Sequence, residues 1–364
     1  MPESILHLDP RQRIGQLFSI GIAGPEIDSA TEKLLREIQP GGVCLFARNI
    51  REASQVRDLC TGLREILIDP IISIDQEGGT VDRLRRIVTP LAAAGQVSTP
   101  ADAEKMGGIV GELLRILGVN TDFAPVVDVV DAERRGASNG LFTRPFGNSK
   151  ESVVELAGGF LDGLEKSGIR GCLKHFPGLG AAKVDSHNEL PNIDMSDEEL
   201  YAVDLYPYRE LLPEHNVAVM VAHAAYSGVS LQEKAQNGTL LPSSLSGSFI
   251  AGLLREKIGF DGMVFTDDLE MGAILRGYGI GEACRMAFAA GADALCICAE
   301  AENVRAGFAA IEDAAASGEI TEARLDESLQ RISRAKNDLA EPLPFDEARI
   351  AELSEEISVF NASL

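Results

Sequence analysis

The sequence predicts a single-domain (β/α)8 barrel. Three observations carry this reading. Eight short apolar runs alternate with longer helical patterns along nearly all of the 364 residues. The runs are continuously apolar rather than alternating, as strands buried on both faces of a parallel sheet are. Eight such strands with helices between them is the count of this barrel. An open doubly wound sheet shares the alternation, but no G-x-G-x-x-G follows the first expected strand, which disfavours its dinucleotide-binding form.

The expected strands are 17–22, 42–46, 71–75, 120–127, 170–174, 217–222, 262–266 and 293–298. Helix ends are marked between them. Thr99-Pro100 pairs a capping hydroxyl with proline in the first turn. Ser196-Asp197-Glu198-Glu199 has the pattern of a capping box, each end able to satisfy a free donor of the other. Gly259 follows Leu253–Ile258 where a helix would stop. Val304, Phe308, Ile311 and Ala315 form an amphipathic stripe. The barrel is expected over residues 1–340. A helical extension at 341–364, with Ile350, Leu353, Ile357 and Phe360 on its inner face, is expected to pack on it. From strand three to strand seven the spacing is about 45–50 residues. That surplus falls in loops, which in this fold build the active site at the carboxyl ends of the strands.

Composition narrows the partners. With 33 Lys+Arg against 56 Asp+Glu the net charge is −23, so no basic excess exists to neutralise nucleic-acid phosphates or an anionic membrane surface. No run approaches the roughly 18 apolar residues of a spanning helix, and no secretory signal is visible at the start. Six cysteines lie apart in mostly apolar runs, without a C-x2-C pair, as buried free thiols do in a reduced, cytoplasmic protein. A monomer acting on a small molecule, with no metal and no cofactor, is expected.

Polar residues gather where the strands end. Asp75-Gln76-Glu77-Gly78-Gly79 and Arg83 follow strand three; Asp122, Asp128 and then Arg144 follow strand four. Lys174-His175-Phe176-Pro177-Gly178 ends strand five and leads to Asp185-Ser186-His187. His223 follows strand six, and Thr266-Asp267-Asp268-Leu269-Glu270-Met271 follows strand seven. Plain structural roles exist for several of these. Asp267 or Asp268 could cap the next helix, Asp128 and Asp131 read as solvated loop residues, and His223 as a histidine satisfied by its neighbours. His7 and His215 read as surface residues. Such roles do not explain so many charged groups converging on one face of one barrel.

The string GCLKHFPGLGAAKVDSHNELP, with GFDGMVFTDDLEMGAI further on, resembles glycoside hydrolase family 3, nearest to its single-domain β-N-acetylhexosaminidase branch. The family pattern K-H-F-P-G-x-G is met by Lys174–Gly180, D-S-H by Asp185–His187, S/T-D-D/W by Thr266-Asp267-Asp268 and D-Q-E-G-G by Asp75–Gly79. The resemblance runs from about residue 10 to about residue 335. It implies Asp267 as catalytic nucleophile, His187 as general acid/base and Asp185 as its orienting partner. It further implies that Asp75, Arg83, Arg144, Lys174 and His175 hold the hydroxyls and acetamido group of the terminal sugar. The chain departs from the pattern at Leu179, at Thr80 and at Pro145-Phe146 after Arg144, positions on the leaving-group and acetamido sides. The implied activity is a retaining exo-β-N-acetylglucosaminidase acting on small carbohydrates, muropeptides of cell-wall recycling included; a β-glucosidase or a phosphorylase of the same family are the alternatives.

The chemistry fits these residues. Glycosidic cleavage passes through an oxocarbenium-like transition state that needs a carboxylate at the anomeric carbon and a proton at the leaving oxygen. An imidazole supplies that proton near neutrality without extensive tuning, and a carboxylate beside it holds the ring's tautomer. Two other classes compete. Lys174 as a Schiff-base amine would make an aldolase-like lyase, a scheme that leaves the Asp185-Ser186-His187 run unused. A non-catalytic sugar-binding barrel would not need Asp267 and His187.

Overall fold

A computed structural model describes residues 5–135, 139–235 and 237–364. Eight parallel strands form its frame: β1 (Phe18–Gly21), β2 (Gly42–Leu45), β3 (Ile71–Ile74), β4 (Thr121–Asp122), β5 (Cys172–Phe176), β6 (Ala218–Val221), β7 (Val264–Asp268) and β8 (Ala294–Ile297). They neighbour one another in the order β4-β3-β2-β1-β8-β7-β6-β5. The two ends of that order meet: the Asp122 N–H donates to the Arg170 carbonyl and the Cys172 N–H to that of Ala124, each at 2.8 Å. The sheet thereby closes into the barrel expected from the sequence.

Seven of the eight expected runs coincide with observed strands to within two residues at either end. The run 120–127 is the exception, since only Thr121–Asp122 is regular. Pro125 has no N–H to give a ladder, and beyond Asp122 the segment is held by single bonds such as Val127 N–H to Lys174 O at 2.8 Å.

The helices that cover the strands are α1 (Ser29–Ile38), α2 (Ala53–Ile66), α3 (Pro100–Leu117), α4 (Lys150–Lys166), α5 (Tyr206–Leu211), the π-type helix Ser248–Lys257, α6 (Ile280–Ala290), α7 (Ala301–Ser317) and α8 (Glu322–Asn337). Thr99 caps α3, its hydroxyl accepting the Asp102 N–H at 3.1 Å. The expected box at Ser196 is only half made. Ser196 accepts the Glu199 N–H at 3.1 Å, but the Glu199 carboxylate turns to Arg134 at 2.8 Å instead. An ion pair to a nearly buried guanidinium outcompetes a neutral cap bond. The α7 stripe is buried at Val304, Phe308 and Ile311, and its last member is Ala314 rather than Ala315.

The last helix, α9 (Glu347–Ser363), buries Ile350, Leu353, Ile357 and Phe360. It is tied to α3 by Arg349 and Glu112 at 2.7 Å. Each such side chain contributes roughly 1.5–3 kcal/mol when fully buried. All six cysteines are free and buried. His7 is exposed, but His215 is not the surface residue its sequence context suggests. Its side chain is 9% exposed and lies 3.4 Å from Glu165. No helix among the described residues is long and apolar enough to cross a membrane.

Candidate active site

At the carboxyl ends of the strands opens a cavity of about 480 Å³. Asp75, Arg83, Arg144, Lys174, His175, Asp185, His187 and Asp267 all line it, so every residue singled out from the sequence for catalysis or sugar binding is in one place. Two irregular strands make this possible. In a regular strand, successive side chains face opposite sides. The pairing of β5 with β6 shifts register between Leu173 and Phe176, and Lys174 and His175 both reach the cavity. The pairing of β7 with β8 shifts between Phe265 and Asp268, and Asp267 and Asp268 both reach it. Such bulges re-aim side chains at active sites.

The floor is a lattice of opposite charges. Lys174 Nζ lies 2.7 Å from Asp75 Oδ1 and 2.6 Å from Glu77 Oε1. Arg144 grips both oxygens of Glu77, at 2.8 and 2.9 Å, and Arg83 reaches Asp75 at 3.4 Å. Burial raises the carboxyl of Glu77, but Lys174 and Arg144 outweigh it and hold the group down at about 2. Asp75 is likewise held below its ordinary value, burial being outweighed by Lys174 and Arg83. Burial pulls the Lys174 amine down, and the two carboxylates more than reverse that. A protonated amine has no lone pair to add to a carbonyl, so the Schiff-base reading fails. Glu77 had no role assigned from the sequence. Its signal lay in the Asp75–Gly79 run itself, with two arginines and a lysine among the other candidates.

His175 Nδ1 meets Asp128 Oδ2 at 2.8 Å, and Asp128 Oδ1 accepts the Leu179 N–H at 2.6 Å. Asp128 is therefore not a solvated loop residue; it is buried and orients His175. Leu179 serves this contact through its backbone. Asp131 does stand in a turn, accepting the Glu133 N–H at 3.0 Å. Asp122 lies behind the cavity, receiving the Gln76 N–H at 2.9 Å. His223 is satisfied by its neighbours, with Nδ1 2.7 Å from Ser244 Oγ and Nε2 3.0 Å from the Asp268 carbonyl. Burial pushes its imidazole below the ordinary value.

Asp267 caps no helix. Its Oδ1 accepts the Asp268 N–H at 2.9 Å. Burial opposes its ionisation, yet the imidazoles of His223 and His175 and that N–H keep the carboxyl below its ordinary value. Asp268 caps nothing either. It accepts the N–H groups of Glu270 at 3.0 Å and Cys298 at 3.3 Å, and burial pushes it up to about 7.

Over this floor, His187 Nδ1 lies 2.8 Å from Asp185 Oδ1, Nε2 has no hydrogen-bond partner among the described residues, and the ring is 68% exposed at the mouth. The loop is anchored to the segment after β7. The Gly272 N–H donates to the His187 carbonyl and the Ala273 N–H to that of Ser186, each at 3.2 Å. A half-buried anionic carboxylate beneath an exposed, carboxylate-oriented imidazole can combine nucleophilic attack with proton transfer.

Comparison with known proteins gives the family. Residues 10–335 match the family model described as glycosyl hydrolase family 3 N terminal domain. A protein of Tolumonas auensis named beta-hexosaminidase is 36% identical over 302 residues, 81% of this chain and 85% of its own length. The structure of a glycoside hydrolase family 3 beta-N-acetylglucosaminidase from Paenibacillus sp. superposes with a TM-score of 0.86 at 34% identity, over 97% of this chain and 69% of that one. That of a beta-N-acetylhexosaminidase from Beutenbergia cavernae gives 0.82 at 26% identity, over 91% and 99%. The chain belongs to glycosyl hydrolase family 3 and is a glycoside hydrolase.

Proposed function

We propose that this chain is a retaining exo-β-N-acetylglucosaminidase. An Asp267 oxygen attacks the anomeric carbon while the bond to the leaving oxygen breaks, and that oxygen takes a proton from His187 Nε2. The neutral His187 then accepts a proton from water, whose oxygen attacks the same carbon and releases the Asp267 carboxylate. Two inversions return the β-configuration. Asp185 orients the ring and stabilises the imidazolium. Asp75, Arg83, Arg144, Lys174 and His175 hold the terminal sugar.

The observation that carries this reading is the pairing of a half-buried Asp267, its carboxyl held below the ordinary value, with a mouth-side His187 whose Nδ1 is already taken by Asp185. The relatives named for hexosaminidase and N-acetylglucosaminidase activity support the amino sugar. Muropeptide fragments of cell-wall recycling are the natural substrate class proposed. All the site residues come from one chain, which supports a working monomer, and six buried free thiols support a reducing cytoplasm. Turnover of a nitrophenyl glycoside panel, followed by NMR, tests the reading. The N-acetylglucosaminide should be cleaved best, with β-anomer formed first; α-anomer first would refute retention.

A further inference from the structure

Phe142 is out of place by two measures. Its side chain is 71% exposed, the highest value among the large apolar residues described, although the protein buries its other phenylalanines or covers them further. Its backbone is also unusual. The Arg144 N–H donates to the Leu141 carbonyl at 2.8 Å, closing a turn with Phe142 at its first corner, and φ there is +44°. Glycine, asparagine or aspartate is the ordinary occupant of such a corner, and a bulky side chain adopts it at a cost. Strain of this kind gathers at ligand-binding sites. Phe142 lines the mouth of the cavity.

Its surroundings say which part of a substrate it would meet. Two residues earlier, Gly140 backs onto the dyad: a Cβ there would lie 2.7 Å from Asp185 Oδ2. Two residues later, Arg144 grips Glu77 on the cavity floor. Phe142 thus stands on the rim beside the group that protonates the leaving oxygen. A phenyl ring offers no hydrogen bond, only an electron-rich face that favours positively polarised edges. The C–H face of a pyranose ring is such a partner.

We propose that Phe142 is the platform of an aglycone subsite, stacking on the sugar ring that leaves. The proposal rests on the glycosidase reading above. It makes the enzyme selective for a ring-shaped leaving group and tolerant of that ring's hydroxyl pattern.

The test is kcat/KM of the wild type and Phe142→Gly on two substrates, the β-linked disaccharide of N-acetylglucosamine and N-acetylglucosaminyl fluoride, whose leaving group has no ring. Glycine suits the positive φ, so the turn and Arg144 should stay in place. The disaccharide should lose roughly 10-fold, mostly in KM, with a much smaller change for the fluoride. Phe142→Tyr, which keeps the ring face, should restore the disaccharide. Equal losses on both substrates would mean that Phe142 acts through Arg144, and no loss on either would mean that it touches nothing; both overturn the proposal. A wild type that cleaves neither substrate overturns the glycosidase reading, and the subsite with it.

Discussion

On the mechanism proposed, Asp267 and His187 divide one reaction, and their losses should differ in kind. Removing the nucleophile leaves nothing for a better leaving group to compensate, so Asp267→Ala should abolish cleavage of sugar and nitrophenyl substrates alike. His187 matters in proportion to how badly the departing oxygen needs a proton. His187→Ala should cost on the order of 10²–10⁴-fold with a sugar leaving group, and far less in glycosylation with nitrophenolate. Deglycosylation then limits, and stopped-flow absorbance should show a burst of nitrophenol. Equal small losses with no burst would remove His187 from the mechanism. These residues were legible because a run such as Asp185-Ser186-His187 carries both partners together. Asp128 was not. Its imidazole partner is 47 residues away, and an aspartate in a long loop reads as solvated until the path of that loop is known. Glu77 was overlooked for a related reason, since its three-way pairing with Lys174 and Arg144 exists only once β3, β5 and the loop after β4 meet.

At the scale of elements, continuous apolar runs made the strands legible, because burial on both faces leaves the same signature in every parallel strand. The bulges at β5 and β7 left no such trace. A register shift is a relation between two strands, and neither CLKHF nor VFTDD announces alone that adjacent side chains share a face. The coupling of two loops was equally hidden. Gly272, after β7, approaches the loop that carries His187 so closely that a Cβ would lie 2.8 Å from the His187 carbonyl and 2.7 Å from that of Asn188. Both are backbone atoms, so a methyl must push the loop away. Gly272→Ala should therefore reduce kcat for a sugar leaving group by on the order of 10²-fold, the scale of a 1 Å misplacement. The nitrophenyl substrate should suffer less, as with His187→Ala. Equal losses on the two substrates would show that the loop shift acts on something other than His187.

Over the whole molecule, carboxylates outnumber cations by enough to leave −23, and the burial of a few of them sets how stability responds to pH. Asp268 is raised from its ordinary 3.8 to about 7, and Asp122 well above 3.8, both chiefly by burial. Between pH 7 and pH 5 Asp268 binds a proton in the folded state that the unfolded chain does not bind, and the upward shift of Asp122 has the same sign. These carboxyls raise stability as pH falls through this range, and the falling self-repulsion of a very acidic chain acts in the same direction; His223 and Lys336, both lowered by burial, act against them. Glu77 has the opposite sign. Its folded value of about 2 lies below the ordinary 4.5, so its contribution is complete above about pH 4.5 and is lost as pH falls toward 2. Asp75 and Asp267, also held below their ordinary values, add to that loss. Thermal melts at constant ionic strength should therefore show Tm climbing from pH 7 to about pH 5 and dropping steeply below pH 4. Asp268→Asn keeps an acceptor for the Glu270 and Cys298 N–H groups but cannot ionise, so it should melt higher than the wild type at pH 7 and flatten the climb. An Asp268→Asn melt with the same slope as the wild type would mean that Asp268 is ionised in the fold and that its backbone donors outweigh its burial.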